Sequence, residues 1–381
     1  MSMPIQRTIF SEEHELFRSS VRRFMEEEIA PHMDRWRQQG YVDRELWRRA
    51  GETGLLCVTM PEEYGGAGAD RKYSAILIEE QARINAAGPG FPMHSDIVAP
   101  YILRFGSPEQ KAQWLPKMAR GEAIGSIGMT EPGAGSDLKK IKTTAQRVGD
   151  EWVINGSKIF ITNGFITDLI VLVAKTDPTL GSKGISLFLV EADRAGFSKG
   201  QPLNKVGQQA QDTAEIFLSN VRVPATNLLG QEGKGFGYLM EELAWERLMI
   251  AIRSVAGAVE AIEQTVAYTK ERQAFGQSVI EFQNSRFKLA ECKTKTQIAR
   301  VYVDYCLDLV SRGELDPEAA AMAKWWCTEL QNRVLDECVQ LHGGYGYILD
   351  YPIARAWTDA RAQMIYGGTN EIMKEIIGRK L

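Results

Sequence analysis

The chain has 381 residues, of which 44% are hydrophobic and 25% are charged, and its formal net charge is −4. These proportions are typical of a globular protein, and the length is sufficient for more than one domain. A weakly negative chain lacks the concentrated positive field that nucleic acids require, so no nucleic-acid partner is expected. The longest apolar runs, such as residues 169–174, are too short to cross a bilayer, so no membrane insertion is expected either.

The cysteine and histidine patterns disfavour disulfide bonds and metal sites. The five cysteines are odd in number and include no C-x-x-C pair, and the four histidines are scattered without metal-ligand spacing. A reducing compartment fits this usage.

Residues 1–15 lack the apolar core of a signal peptide and are acidic by residue 12. We therefore expect a cytoplasmic location, or the mitochondrial matrix if a presequence is missing from this chain.

Residues 1–121 have the apolar period of α-helices and form a predicted N-terminal helical domain. The first helix has Ser11 as its N-cap and Pro31 as its stop. A later helix is predicted from residue 73 to about residue 87. Another begins at Ser107, in a capping box with proline at the first helical position.

Residues 122–232 are rich in turn residues and short alternating runs, which predicts a small β domain and not an alternating βαβ array. Four strands are predicted there: residues 151–162, 168–174, 185–190 and 214–217.

The helical period returns in residues 233–381, where four long amphipathic helices with short connections predict a bundle. They run over residues 236–273, 282–312, 317–341 and 351–365, with a short helix from 370. The predicted fold class is α+β, mostly α: an N-terminal helical domain, a middle β-barrel-like domain and a C-terminal four-helix bundle.

Glycine-rich segments offer weak signals for a cofactor. Residues 133–138 begin like a dinucleotide fingerprint but lack its third glycine and follow no apolar strand, so a Rossmann site is disfavoured. Residues 366–371 place two glycines and a threonine before a helix, where free N–H groups could bind phosphate, although an ordinary capped helix start is equally compatible. Residues 342–347 could press against a flat ligand, or simply end a helix.

Two charged features stand out in the helical C-terminal part. Glu246 shares one helix face with the apolar Leu239, Leu243 and Ile250, and a carboxylate there is costly unless it is paired or functional. A salt bridge is the ordinary explanation. Glu242, one turn earlier, carries a like charge and cannot be the partner. Separately, an arginine, an aromatic and an amide near residues 272–283 could clamp an anionic planar cofactor or merely end a solvated helix.

Six segments in this order resemble the acyl-CoA dehydrogenase family, most closely its long-chain type, from residue 11 to residue 379. They are PEEYGG at 61–66, MTEPGAGSD at 129–137, NGSKIFITN at 155–163, RQAFG at 272–276, QLHGGYG at 340–346 and GGTNE at 367–371.

The resemblance implies FAD as cofactor, an acyl-CoA substrate, a trans-2-enoyl-CoA product, electron-transferring flavoprotein as electron acceptor, and a homotetramer. The implied FAD-binding residues are Met129, Thr130, Ser136, Phe160, Ile161, Thr162, Arg272, Phe275, Gln283, Gln340, Leu341, His342, Gly343, Gly344, Gly368, Thr369 and Glu371. Of these, Arg272, Phe275, Gln283 and residues 340–344 would reach the FAD of a neighbouring subunit. The implied substrate-binding residues are Ser136, Ala244, Arg247 and Tyr366. No metal is implied.

The catalytic base departs from the commoner pattern of the resembled family. Many members carry a catalytic glutamate directly after the tyrosine of the C-terminal loop, where this chain has Gly367. A minority, including long-chain and isovaleryl-type enzymes, use a glutamate on the first bundle helix, and Glu246 matches that position. We hypothesise that the backbone N–H of Gly367 still donates a hydrogen bond to the thioester carbonyl.

Three alternatives remain open at this point. The nearest is a branched short-chain dehydrogenase of isovaleryl type, which shares the relocated base. An acyl-CoA oxidase is disfavoured by the compact length of the chain. A non-catalytic helical scaffold that has lost its base would be suggested by Gly367 if Glu246 were absent.

Overall fold

The computed structural model describes residues 7–381. Residues 1–6, which include the start of the predicted N-terminal domain and of the segment considered as a targeting signal, lie outside the described residues. The helices before the sheet are α1 (Glu12–Phe24), α2 (Met33–Gln39), α3 (Arg44–Glu52), α4 (Arg71–Arg83), α5 (Ala99–Phe105) and α6 (Pro108–Ala119).

Local signals at these helix ends are partly confirmed. Ser107 caps α6, because its N–H donates to Oε1 of Gln110 at 3.0 Å and its Oγ accepts the Gln110 N–H at 3.2 Å. The prediction that Pro31 stops the first helix is wrong. The chain passes through a π-helical turn (Met25–Ile29) and a 3₁₀ turn (Ala30–His32) into α2. A proline is tolerated there because it lies in the first turn of a new helical segment, where its missing N–H has no partner to lose.

The middle of the chain forms one mixed sheet. Its strands are β1 (Gly125–Gly128), β2 (Thr144–Val148), β3 (Glu151–Thr162), β4 (Leu169–Lys175), β5 (Ile185–Glu191), β6 (Phe197–Lys199), β7 (Thr213–Pro224) and β8 (Leu228–Leu229). Their order is β6-β7-β3-β2-β4-β5-β8, with β1 parallel to β4. The strand predicted at residues 151–162 is confirmed, whereas β7 is longer than the predicted 214–217.

Strand β4 is apolar throughout because both of its faces are covered. Leu169, Val171 and Val173 pack with α5 and α6 on one face. Ile170 and Leu172 pack on the other face with side chains of β3, β5 and β7. The sheet is thus fixed on the N-terminal helices by one face, and one end of β3 remains open for a site.

The C-terminal part consists of three long helices and two short ones: α7 (Gly235–Glu271), α8 (Gln283–Ser311), α9 (Pro317–His342), α10 (Pro352–Ala360) and α11 (Asn370–Gly378). A two-stranded hairpin, β9 (Gln273–Ala274) and β10 (Gln277–Ser278), joins α7 to α8. The helix predicted over residues 351–365 is longer than the observed one, because α10 ends at Ala360 and the chain continues as a 3₁₀ turn at Arg361–Met364. Helix α4 packs on α7 and contributes Ala75 and Ile78 to the core of the bundle.

The described part of the chain contains neither a helix able to span a membrane nor a metal-binding cluster. From residue 7 onward, none of the helices is both long and apolar enough to cross a membrane. Across the same residues, no cluster of three or more histidine, cysteine, aspartate or glutamate side chains is placed to hold a metal ion.

Candidate active site

Glu246 lies in the middle of α7, and its side chain is almost completely buried. The Tyr101 hydroxyl of α5 donates to its Oε1 at 3.2 Å. Burial raises the pKa of Glu246 to about 7, the Tyr101 hydrogen bond opposes that rise, the nearby charge of Glu242 adds to it, and Arg247 opposes it. A carboxyl group with that pKa exchanges protons readily at neutral pH.

The ordinary explanation for Glu246, a salt bridge, is not what the structure shows. Within residues 7–381, no basic side chain forms an ion pair with it, and the hydrogen bond from Tyr101 is its one recorded contact of that kind. Glu242 is instead the paired carboxylate, held by Arg104 of α5. Arg247 is also buried, and its Nε has no hydrogen-bond partner among the described residues. This surplus of unpaired polar groups is typical of a binding site.

Gly367 faces the same side of α7 as Glu246. Its φ of +65° is in the left-handed region, and a Cβ added there would overlap the Cδ1 methyl of Ile250, one helical turn after Glu246. Because Ile250 shares a helix face with Glu246, its contact shows that Gly367 lies over the face of α7 that carries Glu246.

A buried lysine fixes the loop that carries Gly367. Lys324 of α9 is fully buried, and its Nζ donates to the Gly368 carbonyl at 2.7 Å and to Oδ1 of Asn370 at 3.0 Å. The Thr369 Oγ1 caps α11 by accepting the Ile372 N–H at 3.3 Å. These bonds satisfy acceptors inside the loop and hold its backbone in one conformation.

The open end of β3 presents an exposed aromatic ring. Phe160 is 63% exposed and has a φ of +61°, at a break in the β3–β7 register. A bulky residue rarely adopts that backbone conformation, and residues that do are concentrated at functional sites. Met129, Thr130 and Thr162 beside it are half-buried. Ile161 points into the sheet core, so its side chain cannot line this face, and only its backbone is available.

A buried ion pair supports the turn that carries Met129 and Thr130. Lys158 Nζ donates to Glu131 Oε1 at 2.8 Å and to the Met129 carbonyl at 3.3 Å. Burial lowers the pKa of Lys158 to about 8, and Glu131 opposes that shift. The backbone N–H of Thr143 donates to the same carboxylate at 3.0 Å, so the turn is held from three sides.

A separate cavity of about 530 Å³ lies at the C-terminal end of α9. It brings together the sequence-predicted Arg272 and residues 340–344. The His342 ring stacks on Tyr268 at 4.2 Å, and its Nδ1 is hydrogen-bonded to the Cys338 carbonyl at 2.8 Å. An exposed guanidinium beside glycine backbone suits an anionic, partly planar ligand.

The remaining predicted residues lie at other surfaces. Phe275 is 97% exposed on the hairpin after α7, and Ser136, Gln283 and Glu371 are also exposed. Tyr366 is 38% exposed beside Gly367, and Ala244 is half-buried on α7. The ring of Phe275 is therefore left open to solvent by the described residues of this chain.

Sequence reasoning missed Tyr101, Lys324 and Lys158. A tyrosine in an apolar helix is ordinarily a core residue, and nothing local links Tyr101 to a glutamate 145 positions away. The one available signal for Lys324 was its place in an otherwise small and apolar stretch of α9, AAAMAKWWC at residues 319–327.

Comparison with known families decides what this constellation belongs to. Three family models, for the N-terminal, middle and C-terminal domains of acyl-CoA dehydrogenase, match residues 11–122, 126–221 and 233–381. The chain belongs to the acyl-CoA dehydrogenase family. It is therefore an oxidoreductase with acyl-CoA dehydrogenase activity, in a family that binds FAD.

Individual relatives of this acyl-CoA dehydrogenase agree over nearly the whole chain. The long-chain specific acyl-CoA dehydrogenase of Sus scrofa mitochondria is 53% identical, over 98% of this chain and 88% of that protein. A crystal structure of acyl-CoA dehydrogenase from Geobacillus kaustophilus is 48% identical with a TM-score of 0.97, covering 98% and 99% of the two chains. A glutaryl-CoA dehydrogenase from Mycobacterium smegmatis, solved with FADH2, is 28% identical with a TM-score of 0.92, covering 98% and 95%.

Proposed function

We propose that this acyl-CoA dehydrogenase converts a long-chain acyl-CoA to trans-2-enoyl-CoA, with Glu246 as the catalytic base. The observation that carries the proposal is the buried Glu246 carboxyl, hydrogen-bonded to Tyr101 and free of any ion pair within the described residues. The similarity to the long-chain specific enzyme of Sus scrofa supports the long-chain assignment.

In the proposed reaction, the Gly367 N–H donates to the thioester carbonyl and stabilises the developing enolate oxygen. That hydrogen bond makes the α-proton more acidic, and the Glu246 carboxylate removes it. Bound FAD would supply the acceptor for the hydride that leaves the β-carbon as the α-proton is removed. The acyl-CoA is further proposed to contact Ala244 and Arg247, which lie within two residues of Glu246 on α7, and Tyr366, which precedes Gly367. The exposed Ser136 is proposed to contact it nearer the surface.

The residues of this chain fit FAD at two places. The exposed ring of Phe160 and the hydroxyls of Thr130 and Thr162 suit the flat flavin, with Met129 and the Ile161 backbone beside them. The cavity lined by Arg272 and residues 340–344 suits a phosphate-bearing part of FAD. The proposed FAD-binding set is completed by Ser136, Phe275, Gln283, Gly368, Thr369 and Glu371.

We further propose a homotetramer that passes electrons to electron-transferring flavoprotein in fatty acid β-oxidation. Support for self-assembly comes from apolar side chains that share one exposed face of α8, namely Phe287, Ile298, Val301 and Tyr305. The proposed domain boundaries are residues 1–121, 122–232 and 233–381.

Anaerobic bleaching of bound flavin by a panel of acyl-CoA thioesters from four to sixteen carbons tests the proposed function. The long-chain proposal predicts the fastest bleaching with the longest members. Fastest bleaching by isovaleryl-CoA or butyryl-CoA would contradict it. Rapid peroxide formation under aerobic turnover would identify an oxidase, and no bleaching by any member would overturn the proposed function.

A further inference from the structure

The hydrogen bond between Tyr101 and Glu246 is isolated from the rest of the side-chain network. Tyr101 is fully buried, and its hydroxyl lies 3.2 Å from Glu246 Oε1. In the part of the chain that the structure describes, neither the hydroxyl nor the carboxylate has another recorded hydrogen bond. Oε1 of the carboxylate therefore accepts the Tyr101 hydrogen bond, and Oε2 is available to accept a proton from a substrate.

The tyrosine ring is held by its packing, not by polar contacts. Tyr101 lies in an apolar cluster with Val98, Ile102 and Leu115, and its ring centroid is 6.1 Å from that of Phe105. A packed aromatic side chain has two torsions and little freedom once its rotamer is fixed. Its hydroxyl is thus a rigid reference point for the more flexible glutamate of α7.

We propose that Tyr101 is the positioning residue of the Glu246 base: it fixes Oε1 so that Oε2 faces the α-carbon of the bound acyl-CoA. The inference rests on the proposed function, because it assigns a neighbour to the proposed base. It needs no direct contact between Tyr101 and the reacting atoms.

The direction of the bond gives this arrangement a measurable signature. Burial raises the pKa of Tyr101 well above its ordinary value, so the phenol stays protonated and donates. A donated hydrogen bond favours the ionised carboxylate, and its loss should raise the pKa of Glu246.

Other ionisable groups around Glu246 also affect its pKa. Glu242 and Arg247 act from α7, and Arg104 of α5 neutralises Glu242. Beyond Glu242, the Arg71 guanidinium of α4 stacks on the Trp245 ring at 4.7 Å and lies 3.7 Å from Asp96. Among the described residues, none of these groups is hydrogen-bonded to the Tyr101 hydroxyl, so its removal breaks none of their hydrogen bonds.

The test compares Tyr101→Phe with wild type by rapid-mixing flavin reduction between pH 5.5 and 9, using the best acyl-CoA of the panel. We expect the limiting rate of flavin reduction to fall about tenfold with the apparent Kd of the acyl-CoA within twofold, and the acid limb of the pH profile to move up by about half to one unit. Tyr302→Phe is the matched control, since it removes a hydroxyl that donates to the Ala319 carbonyl at 3.2 Å inside the bundle. Its profile should match wild type.

A second probe keeps the ring and the fold. Replacing Tyr101 by difluorotyrosine makes the phenol a stronger donor, and the acid limb should then move down. An unmoved limb in both Tyr101 variants, or a rise in the apparent Kd of the acyl-CoA alone, would overturn the inference. Absence of flavin reduction in wild type would instead overturn the proposed function, so the two failures are distinguishable.

Discussion

His94 shows how a single buried residue joins the N-terminal helices to the sheet. Its Nε2 lies 3.0 Å from the Met118 carbonyl, and its Nδ1 accepts the Gly125 N–H at 3.0 Å. Both bonds are satisfied by the neutral ring with its proton on Nε2. Burial lowers the pKa of His94 to about 4, partly opposed by the bond to the Met118 carbonyl.

This histidine predicts an acid-sensitive stability. The unfolded chain binds the proton near pH 6.5 and the folded chain only near pH 4, so stability is full above pH 6.5 and is lost as the pH falls toward 4. Between pH 7.5 and 5, the wild type should lose roughly 2 kcal/mol more than His94→Gln, which keeps a donor and an acceptor but does not titrate. Denaturant unfolding of both proteins measures this, and equal losses would contradict it.

At the residue scale, the sequence singled out Glu246 because a carboxylate on an apolar helix face violates a simple rule, and the family resemblance supplied its predicted role as base. It did not identify Tyr101, because a tyrosine on an apolar face breaks no rule. The same applies to Ile250, whose methyl group occupies the space beside Gly367. Residues that act through contacts between distant elements leave no local pattern.

At the scale of elements, helix α7 and the loop of Gly367 present two positions to one site. A carboxylate restored at residue 367 should therefore recover part of the activity lost in Glu246→Gln. Because a Cβ at Gly367 would overlap Ile250, the rescue requires Ile250→Ala as well. A non-glycine residue at a φ of +65° also costs on the order of 1–2 kcal/mol.

We expect the triple variant Glu246→Gln, Gly367→Glu, Ile250→Ala to recover activity at least tenfold over Glu246→Gln with Ile250→Ala. Steady-state turnover of a long-chain acyl-CoA measures it. Equal turnover in the two proteins, with flavin retained in both, would show that the loop does not face the reacting carbon.

The elements themselves were predictable where their pattern is long. The alternation in β3 and the helical period of α7 predicted both elements to within two residues. Strand β1 was missed, because GSIG is four residues long and its pairing with β4 is its main determinant. Strand β7 was underpredicted, since its outer half carries Asn220 and Arg222 on exposed positions.

At the scale of the whole molecule, the exposed hairpin after α7 is the part proposed to contact a neighbouring subunit. Phe275 is almost fully exposed, and Arg272 lines an open cavity beside it. Arg272→Ala should therefore lower both the flavin content and the tetramer fraction, since a charge-assisted bond to phosphate contributes about 1.5–3 kcal/mol.

Size-exclusion chromatography with flavin absorbance measures both quantities for Arg272→Ala. The control is Arg120→Ala, which removes an exposed arginine that pairs with Glu122 at 2.8 Å and does not line the cavity. Normal flavin content in Arg272→Ala would reject the shared site. The sequence predicted this surface only through family resemblance, because a charged helix end is ordinarily just solvated.

The most direct measurement of the central claim is the rate of anaerobic flavin reduction by a long-chain acyl-CoA in Glu246→Gln. Glutamine keeps the size of the side chain and can still accept the Tyr101 hydrogen bond, but it cannot take up the α-proton. The account predicts a rate lower by about 10²–10⁴ or more, with FAD and acyl-CoA still bound. A rate near that of wild type would show that Glu246 is not the base.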